Sequence, residues 1–148
     1  MAYGDLFNDG RIDVVVNNMD ATPSLFRNVT GTPAAIASEH PGTPVPVPNH
    51  WIAFNLIGGP KSPRDAVGTT IYLTANGFRQ RADVLAGGSF ASSSDQRPHF
   101  GLGTATRIDA LEIHWPDGTK QQLKPPSSLN TFYTITEGQP ASRLPQLR

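Results

Sequence analysis

The feature that most constrains the fold is a pair of short alternating runs joined by Asn76-Gly77. Residues 67–73 carry Val, Thr, Ile and Leu at every second position, and residues 78–85 follow directly after the Asn-Gly pair. Asn-Gly between two such runs is a strong short-range signal for a two-residue β-hairpin, because both turn positions need positive φ. The sequence therefore predicts a hairpin at this point and a protein built from β-strands.

Further short runs predict the rest of the sheet structure. Residues 51–57 have apolar side chains on both faces, which predicts a strand covered on two sides. Residues 111–115 alternate again and lead into a Pro-Asp-Gly turn at residues 116–118. The remaining predicted strands are residues 12–16, 25–29, 97–102, 120–123 and 132–135. We therefore expect an all-β fold: an antiparallel β-sandwich or barrel-like domain of about seven strands, preceded by a short N-terminal β-hairpin.

Glycine and proline punctuate these runs, with 14 of each among 148 residues. This share is well above average usage and argues against a helical bundle. Residues 44–48 (PVPVP) predict an extended polyproline II segment, either a stiff linker or a strap on the surface, with a ligand for a proline-recognition domain as the alternative. The predicted organisation is a first unit at residues 1–30, a Pro-rich linker at 31–49, a β domain at 50–138 and a tail at 139–148.

Charge and hydropathy exclude several classes of partner. Lys and Arg total 12, as do Asp and Glu, and neither sign forms a run, so the basic patch typical of nucleic-acid binding is missing. No apolar run approaches the roughly 20 residues of a membrane helix, and the lack of cysteine excludes disulfides and thiolate metal sites. The sequence begins inside a motif and shows no signal-peptide pattern, so we expect upstream sequence to be missing from this chain.

The first group of candidate site residues is an acidic loop before a predicted strand. Its candidate metal ligands are Asp5, Asp9, the Arg11 carbonyl and Asp13. Their spacing around Gly10 resembles a calcium loop, in which side-chain oxygens and one carbonyl converge on the ion. Phe7 stands where a further oxygen ligand is expected. The alternative is an Asp-rich turn held by side-chain to backbone hydrogen bonds.

The second group of candidate residues is polar and comes from two segments. Its members are Arg64, Asp65, Ser92, Ser93, Ser94, Asp95, Arg97 and His99. A serine, His99 and an aspartate would supply the nucleophile, base and orienting group of a hydrolase. Alternatively, an arginine–carboxylate pair would hold a long loop in place.

A third interpretation of the same residues is a polar binding site for a glycan or a peptide beside a flat apolar side chain. The aromatic candidates for that surface are Trp51, Tyr72, Phe90 and Trp115. Trp115 alternates with the core-type residues Leu111 and Ile113, so we expect it in the core.

Two known families resemble this sequence. The acidic loop, followed by residues 14–18 and 25–28, resembles the FG-GAP or VCBS repeat of integrin-type β-propeller blades, of which this chain has one copy. Residues 50–137 resemble the ASPIC/UnbV domain, named after cartilage acidic protein and a bacterial relative. The blocks that carry this resemblance are residues 64–68 (RDAVG), 87–103 (GGSF through SDQRPHFGLG) and 111–118 (LEIHWPDG). Phe7, Ala66 and the Pro-rich insert depart from the family patterns.

The resemblance implies a domain that follows a series of propeller repeats in a secreted, cell-surface or periplasmic protein. It implies a non-catalytic extracellular β module, the C-terminal domain of a calcium-binding propeller protein used in adhesion or recognition, with a protein or glycan as ligand. A carbohydrate-binding module and a hydrolase that uses the loop from Ser92 to His99 are the alternatives. Because a lone blade has exposed strand edges, residues 12–16 are expected to pack against the β domain or to pair with a second copy in a homodimer.

Overall fold

The computed structural model describes residues 1–31, 49–88 and 90–143. These residues contain 11 β-strands and no helix, which confirms the all-β prediction. The strands are β1 (Ala2–Gly4), β2 (Asp13–Val16), β3 (Ser24–Phe26), β4 (His50–Ile57), β5 (Thr70–Ala75), β6 (Phe78–Asp83), β7 (His99–Gly103), β8 (Ala110–His114), β9 (Lys120–Leu123), β10 (Thr131–Thr136) and β11 (Ser142–Arg143). The predicted polyproline segment and the last residues of the predicted tail lie outside the described residues.

The strands form three sheets. A small N-terminal sheet has the order β1-β2-β3 and is antiparallel, so the predicted hairpin has a third strand. Two four-stranded sheets, β11-β10-β4-β7 and β6-β5-β8-β9, make a sandwich and no closed barrel within the described residues. The prediction of a wholly antiparallel domain misses one pair, because β4 and β10 run parallel. Alternation of side chains shows which residues share a face, but it carries no information on strand direction.

Turn chemistry positions the strands as the sequence predicts. Asn76 and Gly77 have φ values of 49° and 79°, the two positive angles of a type I′ turn, and Ala75 pairs with Phe78 across it. At the other hairpin of this sheet, the Gly118 N–H donates to the Trp115 carbonyl at 3.0 Å, as in a β-turn with proline at its first central position.

The inner faces of the two larger sheets share one hydrophobic core. Residues that alternate along β4, β5 and β8 point into it, which is why the period-two pattern was readable in the sequence. The aromatic rings of Phe54 and Phe100 meet edge to face, with their centroids 6.0 Å apart. Trp115 is only 3% exposed and donates from Nε1 to Gln121 at 2.8 Å, so its predicted place in the core is confirmed.

The outer face of the β11-β10-β4-β7 sheet is also partly covered. Ala53 on β4 is 1% exposed although it points away from the core. The neighbouring Trp51 ring stacks on His99 with centroids 5.5 Å apart and meets the edge of Phe132 at 5.1 Å. A Cβ atom on Gly10 would lie 2.0 Å from Trp51 Nε1, so the N-terminal loop lies directly on this ring. The predicted two-sided cover of β4 therefore exists, and the N-terminal sheet provides part of it.

Candidate functional site

The acidic loop is a set of turns closed by its own carboxylates. Asp5 accepts hydrogen bonds from the Asp9 and Gly10 N–H groups at 3.0 and 2.8 Å. Asp13 accepts from the Leu6 N–H at 3.2 Å and from the Asn28 N–H at 2.8 Å. Both carboxylates are almost fully buried, with 2% and 1% exposure, and backbone N–H groups replace the water they lose. These contacts fix the path of the chain between β1 and β2.

Asp9 is held differently, by cations. Its carboxylate accepts from the guanidinium groups of Arg11 and Arg27 and from the Arg11 N–H at 3.1 Å. The Arg27 guanidinium also lies over the Phe7 ring, 4.1 Å from its centroid. Phe7, which stands where a further oxygen ligand is expected, thus packs against an arginine.

A calcium ion takes about six to eight oxygen ligands, which the groups of this loop would have to supply. Every carboxylate oxygen of the three aspartates accepts an N–H or guanidinium donor. Among the described residues, no group of three His, Cys, Asp or Glu side chains could hold a metal ion. In this arrangement the loop does not present the open cage of oxygens that calcium takes, and calcium binding stays a prediction.

Arg97 connects this loop to the sandwich. Its guanidinium donates from Nη2 to the Asp5 carbonyl at 3.0 Å and from Nη1 to Asn8 Oδ1 at 2.9 Å. The same group binds the Asp95 carboxylate through Nε and Nη2 and lies over the Phe132 ring, 4.6 Å from its centroid. Arg97 thereby links two loops whose residues lie about 90 positions apart in the sequence.

The contacts of Arg97 with Asp5, Asn8 and Asp95 form a junction between the N-terminal sheet and the sandwich. Two hydrogen bonds to the main chain of strand β1 extend this junction. The Asp95 N–H donates to the Tyr3 carbonyl at 2.9 Å, and the Tyr3 N–H donates to Ser94 Oγ at 3.4 Å. Burial raises the pKa of Asp95, but the hydrogen bonds and charge of Arg97 outweigh it and hold the pKa below its usual value. The pair is therefore ionised near neutral pH.

His99 packs against the Trp51 ring, next to the contacts made by Arg97. Its ring stacks on Trp51 and faces the Gly10 carbonyl, and its Nε2 is buried with no hydrogen-bond partner among the described residues. Burial lowers the pKa of His99 more than the Gly10 carbonyl, Asp5 and Asp95 raise it. The imidazole is thus neutral at pH 7 and serves as a packing surface.

The three serines bond to the main chain or to the N-terminal strand. Ser92 Oγ donates to the Met1 carbonyl, and Ser93 Oγ donates to the Ala86 carbonyl at 3.2 Å. Ser94 Oγ accepts from the Tyr3 N–H, as described above. Within the described part of the chain, no serine hydroxyl is hydrogen-bonded to His99, so the nucleophile–base contact that a hydrolase requires is not formed here.

A cleft of about 680 Å³ opens beside the junction, on the uncovered part of the same sheet face. It brings together the two segments of the second candidate group, since Arg64, Asp65 and Arg97 all line it. The remaining lining residues are Asn55, Leu56, Ile57 and Gln96. A volume of this size is in the usual range of small-ligand sites.

A tight turn carries Arg64 and Asp65. The Gly58 N–H donates to the Arg64 carbonyl at 3.1 Å, and the Ala66 N–H donates to the Pro63 carbonyl at 2.8 Å. Ala66 is fully buried with φ at 54°, a conformation that favours glycine. Ala66 is therefore a strained alanine in a conformation that favours glycine.

Several side chains at the site carry no signal in the sequence. Asn55 and Gln96 are ordinary polar residues, and their place at the cleft depends on how the chain folds back. Of the aromatic candidates, Trp51 is covered by the N-terminal loop and Tyr72 by the Arg79 guanidinium, 4.2 Å from its centroid. Phe90 is 98% exposed and keeps its faces open.

Comparison with known proteins adds one finding on the family. The family model described as ASPIC and UnbV matches residues 59–142, which is more than half of the chain. The matched range includes strands β5 to β10, the turn that carries Arg64, and the loop with Asp95 and Arg97. No curated protein matches the sequence. None of the described residues forms a helix with the length and apolar character to cross a membrane.

Proposed function

The chain belongs to the ASPIC and UnbV family, and on that premise we propose that it is a non-catalytic recognition module of a secreted, cell-surface or periplasmic protein. In this proposal the sandwich is the C-terminal domain of a propeller protein used in adhesion or recognition. The N-terminal sheet is then the last repeat of that propeller, and upstream repeats and a protein or glycan ligand are the partners.

One observation carries this proposal: the polar residues that resemble a catalytic group are used to attach the N-terminal sheet. Arg97 binds Asp5, Asn8 and Asp95, and His99 packs between Trp51 and the loop. An attached sheet gives the module a fixed orientation relative to whatever precedes it. Recognition benefits from such rigidity, because less freedom is lost on binding.

The non-catalytic part of the proposal is tested with a serine-reactive probe. The chain is incubated with a fluorophosphonate, and labelling is read by mass spectrometry. We expect no labelling of Ser92, Ser93 or Ser94, because their hydroxyls bond to Met1, Ala86 and Tyr3 main-chain groups. Labelling of one of these serines that His99→Ala abolishes would overturn the proposal.

The recognition part is tested by retention under flow. Beads coated with the chain are passed over surfaces coated with matrix proteins or polysaccharides, and beads coated with the heat-unfolded chain are the control. Selective retention of the folded protein on some surfaces supports recognition. Equal retention of both kinds of bead on every surface would contradict it.

Calcium binding to the acidic loop is a finer part of the proposal. Carboxylate oxygens have a second lone pair, so the hydrogen bonds of Asp5 and Asp13 are compatible with a metal, whereas Arg11 and Arg27 would have to release Asp9. Thermal unfolding with millimolar calcium and with EDTA tests this. A rise in Tm that Asp9→Asn removes would support a site, because a ligand that binds only the folded state stabilises it. No rise removes calcium from the proposal.

A carbohydrate-binding module is the second candidate, and the exposed ring of Phe90 favours it. Phe90 lies just before the polar residues Ser92 to Arg97 in the sequence. An open aromatic face beside polar groups is a typical binding surface for a sugar. A glycan array with the chain and with Phe90→Ala tests the idea. Hits that depend on Phe90 support it, and an array without hits counts against it.

A further inference from the structure

We propose that the cleft beside strand β4 binds a carboxylate-bearing segment of an acidic peptide, with Arg64 as the principal contact. The inference rests on the proposed recognition function and names the site and the class of ligand. The cleft is lined by polar side chains from three parts of the chain: β4, the turn before Ala66, and the segment that ends at Arg97.

Arg64 differs from most arginines of this protein in its pairing. Among the eight arginines in residues 1–31, 49–88 and 90–143, six form an ion pair with an aspartate or glutamate. Arg64 forms none, although Asp65 is its neighbour in sequence, and it is the unpaired arginine that lines a cleft. A guanidinium with all its donors available suits a carboxylate, which it can bind through two parallel hydrogen bonds.

The backbone under Arg64 is already rigid. Its carbonyl is bonded to the Gly58 N–H, and a Cβ atom on Gly58 would lie 2.0 Å from the Pro63 carbonyl oxygen, so the two ends of the turn are in close contact. The buried Ala66 with positive φ closes the turn on its other side. Because the turn is fixed before binding, a ligand would order little more than the arginine side chain itself.

Of the other lining groups, Asp65 is a carboxylate that repels an acidic ligand, whereas Asn55, Gln96 and Ile57 suit a peptide. The side-chain amides of Asn55 and Gln96 have no hydrogen-bond partner within the described residues, and each can both donate to and accept from a peptide group. Ile57 adds an apolar surface. Strand β4 pairs with β10 from Ile52 to Ile57 but with β7 only from His50 to Ala53, so the β7-side edge of residues 55–57 has no strand partner within the described residues and a peptide can contact it. Among the described residues, no aromatic side chain lines the cleft, which favours a peptide over a saccharide.

The test is a peptide titration that is monitored by ¹H–¹⁵N NMR. The probe is acetyl-tetraglutamate-amide, and the controls are the neutral acetyl-tetraglutamine-amide and tetragalacturonate, which carries the same charge on a sugar. We expect the acidic peptide to shift the amide signals of residues 55–57, 64–65 and 96–97. Loss of a hydrogen bond to a charged group weakens binding about tenfold, so Arg64→Gln should raise Kd by about that factor.

Arg79→Gln is the matched control variant, because Arg79 is an exposed arginine on the outer face of the opposite sheet. It should leave Kd unchanged. The inference is overturned if the peptide shifts no signals of the cleft, if Arg64→Gln and Arg79→Gln weaken binding equally, or if tetragalacturonate alone binds. If the cleft fails while beads are still retained selectively, the site is wrong and the recognition function stands. If retention also fails, the proposed function is wrong as well.

Discussion

The outer face of the β11-β10-β4-β7 sheet has two halves, and they differ in whether their polar side chains have partners within the protein. In the half around Trp51, Arg97 is ion-paired with Asp95 and hydrogen-bonded to the N-terminal loop. In the half around Asn55, Arg64 and two side-chain amides have no partner within the described residues. Paired groups hold one part of the protein to another, whereas unpaired groups at a cleft are available to a ligand. The first half is therefore structural and the second is the better candidate for binding.

The largest effect is expected for Gly10→Ala in the covered half. The new Cβ would lie 2.0 Å from Trp51 Nε1, and φ at Gly10 is 84°. Overpacking and the left-handed backbone together should lower the free energy of unfolding by about 2–4 kcal/mol. Gly77→Ala is the matched control, since φ is 79° there with no atom within 4 Å, and it should cost about 1 kcal/mol. Equal losses in chemical denaturation would show that Trp51 does not touch the loop.

Arg97→Gln should have the next largest effect. It leaves Asp95 without its cation and the Asp5 carbonyl without a donor, in a pair whose side chains are 29% and 22% exposed. Because the pair is only partly buried, the expected loss is about 2 kcal/mol. Arg64→Gln, in the open half, should leave the free energy of unfolding unchanged. A loss of stability in Arg64→Gln as large as in Arg97→Gln would remove the distinction between the two halves.

A smaller effect is expected from pH. Burial lowers the pKa of His99 in the folded state, so the unfolded chain binds more protons just below its ordinary pKa of about 6.5. Stability is complete above that pH and falls as the pH drops through this window. His99→Phe should remove this slope while keeping a flat ring on Trp51. An unchanged slope in urea denaturation between neutral and mildly acidic pH would show that another group titrates.

Ala66→Gly should have the smallest effect. Glycine relieves the positive φ at this position, worth about 1–2 kcal/mol, but it loses a buried methyl group and adds freedom to the unfolded chain. These opposing contributions nearly cancel, so Tm should change little. Ala66→Val is the contrasting variant, since a β-branched residue does not tolerate this backbone, and its Tm should fall clearly. A large rise in Tm for Ala66→Gly would mean that the positive φ of Ala66 costs more than the lost methyl group contributes.

The strands were the most predictable part of this protein. Residues 120–123 match β9, and the Asn76-Gly77 hairpin forms with the expected angles, because alternation and turn residues are local properties of the chain. The parallel pairing of β4 with β10 was not predictable, since it depends on how a distant strand returns to the sheet.

The site was predictable only in part, for the same physical reason. Arg64, Asp65 and Arg97 could be chosen as candidates from residue type, but nothing local shows that they line one cleft. The contact of Arg97 with Asn8 joins residues 89 positions apart, and the bonds of the acidic loop to its own N–H groups depend on its folded path. Long-range contacts of this kind are properties of the tertiary structure.

Hydrogen exchange of the N-terminal sheet tests most directly whether the covered half is structural. Amide exchange in residues 2–4 and 13–16 is compared among the unmodified chain, Arg97→Gln and Arg64→Gln. We predict faster exchange in Arg97→Gln alone, because that variant breaks the contacts of Asp5 and Asn8 with the sandwich and lets the sheet open locally. Unchanged exchange in Arg97→Gln, or the same acceleration in Arg64→Gln, would contradict the account.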